Sequence, residues 1–158
     1  MTYEYLVWGV NPEPWRSPGV PGKGRATKDG KQDAYQQALR DEIVEQNPNI
    51  GAFNFLEFAG APLSVEFFFW RSSAHNKQVD ATNIQKATED ALQGILYTND
   101  KANRHVESTI CEQTVDTYPA ILIRVSVFDP GIIPELPPRP TVGKFEDDEW
   151  TPPEKELF

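Results

Sequence analysis

Cysteine is almost absent from this 158-residue chain: Cys111 stands alone, so no intrachain disulfide can form, which suits a reducing compartment. Histidine is nearly as scarce. His75 and His105 beside that one cysteine are too few for a structural zinc site, so any bound metal is expected to be a hard cation held by oxygen. No apolar run approaches the ~20 residues of a membrane span. The first residues show neither the basic start nor the apolar core of a signal peptide. What is present is ordinary globular material, with 39% hydrophobic and 11% aromatic residues, which excludes wholesale disorder and points to one domain.

Positive charge is also in short supply, and its distribution matters. The net charge of −9 argues at first against a nucleic-acid partner. Residues 129–158, however, carry eight acidic and three basic residues, a net of −5, and seven of the fourteen prolines. Such a segment has no core of its own and reads as a tail following a domain of residues 1–128. Near the other end, Arg16, Lys23, Arg25, Lys28 and Lys31 face only Asp29, a net of +4 within residues 16–31. Prolines and glycines deny this stretch regular structure. It reads either as a solvated loop or as a loop whose spaced cations follow a phosphate backbone.

Residues 3–10 are aromatic and β-branched and predict a strand. In residues 32–46, Tyr35, Leu39 and Ile43 recur at four-residue spacing and predict an amphipathic helix that Pro48 ends. Phe53, Phe55, Leu56 and Phe58 are expected to pack beneath the connection that follows. Residues 63–70 end in the run F-F-F-W and predict a central strand covered on both faces. Two further strands are predicted over 106–115 and 120–128. The order is β-α-β-α-β-β, an α/β two-layer domain with helices on one face of a small mixed sheet.

The chemical content is concentrated in residues 79–100, V-D-A-T-N-I-Q-K-A-T-E-D-A-L-Q-G-I-L-Y-T-N-D. Ile84, Ala87, Ala91 and Ile95 share one stripe of a helix, while Asn83, Lys86 and Asp90 gather on its flank. Asp80 stands at the entrance, and Asp100 lies past Gly94, a candidate stop. Asp80, Lys86 and Asp100 are expected to converge on one metal ion. Each also has a plain reading: a helix cap, a solvated lysine beside Asp90, and a turn residue.

This stretch resembles the RusA-type crossover-junction endodeoxyribonucleases, whose pattern is D-x-D-N-x-x-K, then D-A-L, a turn and a paired D-D. The matches are Asp80, Asn83, Lys86, Asp90-Ala91-Leu92, Gly94 and Asp100. The start W-G-V-N-P-E-P-W, the K-G-R loop and the A-Y-Q-Q helix look like the family's N-terminal half, and the tail lies outside the likeness. Two positions depart: Thr82 replaces the second acid of D-x-D-N, and Asn99 the first of the pair.

The resemblance implies a homodimeric hydrolase that resolves Holliday junctions in the cytoplasm of a bacterial or phage-infected cell, with no membrane role. It implies Mg2+ as cofactor, replaceable by Mn2+, held by Asp80 and Asp100 with Thr82 and Asn99 as neutral substitutes, and Lys86 needed for cleavage. Branched DNA would be gripped by Arg16, Lys23, Arg25, Lys28, Lys31 and Lys77. The alternatives are a relative that binds branched DNA with weak or no cleavage, and a protein-interaction module working through the tail.

Overall fold

The alternation along β2 (Leu63–Ser72) organises the molecule. Leu63, Val65, Phe67 and Phe69 turn to one face and are at most 1% exposed, whereas Phe68 and Trp70 turn to the other and stay half-buried. The aromatic run therefore belongs to a central strand as expected, but one sealed on a single face. The computed structural model describes residues 2–15, 30–48, 50, 60–72, 79–138, 144–146 and 149–151. Phe53, Phe55, Leu56 and Phe58 lie outside these residues.

The four-stranded sheet has the order β1-β4-β2-β3, with β1 spanning Thr2–Trp8, β3 Asn103–Thr114 and β4 Ala120–Val127. β4 runs antiparallel to β1 and β2, while β2 and β3 are parallel. Val7, Ile121, Ile123 and Val125, all fully buried, extend the apolar face begun by β2. Among the described residues, two helical elements pack against it, together with Ile50. α1 (Gly30–Gln46) contributes Tyr35, Leu39 and Ile43, at the predicted spacing. α2 (Ala81–Leu92) contributes Ile84, Ala87, Ala91 and Leu92. Ile95 falls beyond this helix, because the backbone leaves helical geometry at Gln93 and Gly94 takes a φ of +81° that side-chain-bearing residues avoid.

One polar contact ties the helices together inside the core. Thr88 donates its hydroxyl to the Ile84 carbonyl at 2.8 Å, so the Tyr35 hydroxyl, 2.6 Å away, must donate to Thr88. Burial pushes the Tyr35 phenol upward and keeps that proton in place.

A parallel pair cannot be joined by a hairpin, so the chain crosses back through α2. The register pairs Leu63 with Asn103 and Ser72 with Thr114. Starting from the Ser72 end of the strands, α2 must therefore run antiparallel to both and finish at the Leu63 end. Past β4, a 3₁₀ turn (Pro130–Ile132) and a small hairpin of β5 (Lys144–Glu146) and β6 (Glu149–Thr151) occur in a segment whose proline content predicted no such element. No helix among the described residues is long and apolar enough to cross a membrane.

Candidate active site

At the entrance of α2, Asp80 occupies the N-cap with extended backbone, and its Oδ1 accepts the Thr82 N–H at 2.9 Å. A carboxylate retains acceptor capacity beyond one such bond. It also offsets the partial positive charge that a helix N-terminus would turn on a cation. Thr82 and Asn83 are exposed beside it. Lys86, one turn further, is exposed too, and its Nζ stands 5.0 Å from the centre of the Trp15 ring.

Trp15 is delivered there by a pinned segment. Its N–H donates to the Asn83 carbonyl at 2.9 Å. Behind it, the buried Arg71 at the end of β2 donates from Nε to the Pro12 carbonyl at 2.7 Å and from Nη2 to Glu13 Oε2 at 3.3 Å. Asn11 and Ser72 exchange two bonds, each of 2.9 Å, like one more rung of the sheet. A cleft of about 620 Å³ between the helices is lined by Trp15, Gln32, Asp33, Gln36, Arg40 and Asp90. Both ends of the basic segment thus return to one place. Lys31 stands at the start of α1, while Arg16, Lys23, Arg25, Lys28 and Lys77 lie outside the described residues.

The other end of α2 carries a different group. Asp100 opens a 3₁₀ turn (Asp100–Ala102) capped by Asn99, whose Oδ1 accepts the Lys101 N–H at 2.9 Å. Glu89 is half-buried nearby and accepts from Gln85 Nε2 at 2.9 Å, while Ser108 donates to Gln85 Oε1 at 2.5 Å. Tyr97 donates to the Glu89 carbonyl at 2.8 Å, and burial pushes its phenol upward. The Asn103 amide approaches Glu89 and Tyr97 closely enough to favour their charged forms, yet its buried Nδ2 and Oδ1 fall short of hydrogen-bond geometry.

Burial above all holds the Glu89 carboxyl above its usual range, and the charges of Asp100 and Asp90 add to this. The folded protein therefore binds this proton more tightly than the unfolded chain does. The associated stability is complete at low pH and is lost as pH rises from the unfolded to the folded value. Glu89→Gln should accordingly raise the melting temperature more at pH 7 than at pH 4, as thermal unfolding at the two pH values would reveal.

The expected convergence of Asp80 and Asp100 within one chain does not occur. Asp80 precedes the helix at the Ser72 end of the strands, and Asp100 precedes Asn103 at the Leu63 end. Between them lies a 12-residue helix, roughly 18 Å at the standard rise. Among the described residues no three acids, histidines or cysteines are grouped to hold a metal ion. Asp80 shares its half of the helix with Lys86 and Trp15, and Asp100 with Asn99 lies at the other end.

Against this geometry, the family model for endodeoxyribonuclease RusA matches residues 16–126, from the basic segment to the last strand of the sheet. The chain belongs to the RusA endodeoxyribonuclease family. Family membership makes it a nuclease by descent, and the match includes both ends of α2. No curated protein matches the chain.

Several features of this RusA-family site are not legible from motif spacing. Trp15, which closes the W-G-V-N-P-E-P-W start, reaches α2, and Arg71 holds the segment before it; nothing in the spacing pairs either residue with its distant partner. Gln85 and Glu89 do carry a signal, an i, i+4 pair on one helix face. His105, 2.9 Å from Ser64 Oγ and 3.2 Å from Glu107 on β3, is half-buried on that strand.

Proposed function

We propose that this protein is a magnesium-dependent, structure-selective DNA endonuclease that resolves four-way junctions by paired phosphodiester hydrolysis, working as a homodimer in the cytoplasm. The observation that carries this reading is the family match across the motif that holds Asp80 and Lys86. Bound Mg2+ would supply charge relief on the phosphate and lower the acidity barrier of an attacking water.

The chain's own residues do the positioning. Asp80 and Asp100 bring hard oxygen donors, with Thr82 and Asn99 as neutral ones. Lys86 meets the scissile phosphate from the flank of α2, and the segment from Arg16 to Lys31 tracks the backbone of the arms. Because one chain keeps its two acids at opposite ends of α2, a shared ion needs two chains. In a two-fold dimer, Asp80 of one copy can face Asp100 of its partner, which yields two equivalent sites for two symmetric nicks.

The test is cleavage of a synthetic four-way junction by the full chain. Magnesium or manganese should support paired cuts, EDTA should abolish them, and linear duplex should stay intact. An uncut junction at all metal concentrations would remove the reading.

The second reading is a relative that binds branched DNA with little cutting, and the neutral Thr82 in place of an acid favours it. Thr82→Asp separates the two. A gain in junction cleavage of about 10-fold or more at limiting Mg2+ is expected if the missing charge limits metal affinity. No gain from an already active wild type would dismiss this second reading.

A further inference from the structure

We infer that Trp15 is the positioning residue for Lys86, a role that rests on the nuclease reading above. A free lysine on an exposed helix face samples many rotamers, and its ammonium occupies no defined point. Here the Nζ lies 5.0 Å from the indole centre, within the range where the ring's negative face attracts a cation.

The ring itself cannot drift. Its backbone N–H is bonded to the Asn83 carbonyl, one turn before Lys86 on the same helix. Its side chain packs half-buried against the hydrophobic core. Arg71 holds Pro12 and Glu13, and Ser72 holds Asn11, so three of the four residues before Trp15 are pinned to the end of β2. The indole is thus fixed to α2 and to the sheet at once, and the lysine's position is defined by both.

Trp15 also directly precedes Arg16, the first cation of the basic segment, in the sequence. Trp15 touches neither the phosphate nor an ion in this arrangement. It acts through Lys86.

The experiment uses full-length wild type, Trp15→Phe and Trp15→Leu, each with ¹³C-labelled lysine. The Lys86 signal, assigned by its loss in Lys86→Arg, should be shifted upfield by the indole ring current in wild type. In Trp15→Leu it should return to the position of ordinary lysines. In single-turnover cleavage of a four-way junction with Mg2+, Trp15→Leu should slow the cutting step by about 3- to 30-fold with junction affinity held within about twofold. Trp15→Phe, which keeps a ring, should recover most of the rate.

An unshifted Lys86 signal in wild type overturns the inference. So does a Trp15→Leu protein that cuts at the wild-type rate, or one whose whole loss lies in affinity. If Trp15→Leu fails to fold, the wild-type spectrum and the phenylalanine variant decide. A wild type that cuts no junction sinks the nuclease reading instead, and the ring-current shift alone then decides whether the indole holds the lysine.

Discussion

Asp80→Asn and Asp100→Asn should each lower junction cleavage by about 100-fold or more, yet a mixture of the two should cut. Each substitution removes a carboxylate that the metal reading requires, so both homodimers are dead. In a mixed dimer the outcome depends on geometry. If a site takes Asp80 from one copy and Asp100 from the other, one site carries both lesions and the second carries neither.

Random reassortment makes half of the dimers mixed, so nicking should recover to about a quarter of the wild-type level. The products should be singly nicked junctions rather than resolved duplexes, since only one strand can be cut. If each site lay within one chain, the mixture would stay as inactive as its components. The physical basis is the crossover through α2, which leaves Asp80 and Asp100 at opposite ends of the strands it crosses. Coexpression of the two variants, followed by denaturing analysis of both strands of a labelled junction, makes the measurement.

The second large effect concerns stability. Arg71→Met should destabilise the fold by about 2–4 kcal/mol, although methionine fills a similar volume. Arg71 is 8% exposed, and its guanidinium serves both the Pro12 carbonyl and the Glu13 carboxylate. Removing it strands two acceptors, one of them charged. The Glu13 side chain is 20% exposed and recovers part of its hydration, which places the cost below that of a fully buried broken pair.

Urea unfolding should show a lower midpoint at an unchanged slope. Glu13→Gln should cost far less, since an amide oxygen still accepts from Arg71. An Arg71→Met midpoint within error of wild type would mean that the segment of residues 11–15 is held by its other contacts. Loss of this clamp should also slow cleavage, because Trp15 hangs from the same segment.

The local chemistry of this chain is well written in its sequence. Tyr35, Leu39 and Ile43 declare one helix, and Ile84, Ala87 and Ala91 another, because a 3.6-residue period must place them on one stripe. The alternation of Val65, Phe67 and Phe69 likewise declares a strand with a buried face. The aromatic run misled only about the second face of the sheet. Phe68 and Trp70 are apolar, yet both predicted helices pack on the opposite side, and a run of apolar residues does not count the layers above it.

The helix that carries Asp80 and Lys86, its cap and its stop at Gly94 are legible in the amino-acid order, because they depend on neighbours within a few residues, and the family is legible from the motif they carry. That Asp100 returns at the far end of the strands, and that Trp15 comes to rest beneath Lys86, follows from the packing of distant segments. Parallel pairing of β2 with β3 forces the chain to travel the length of α2 before turning back, and the grip of Arg71 on Pro12 and Glu13 spans almost sixty residues. No spacing along the chain encodes either distance, because both are set by which strands find each other.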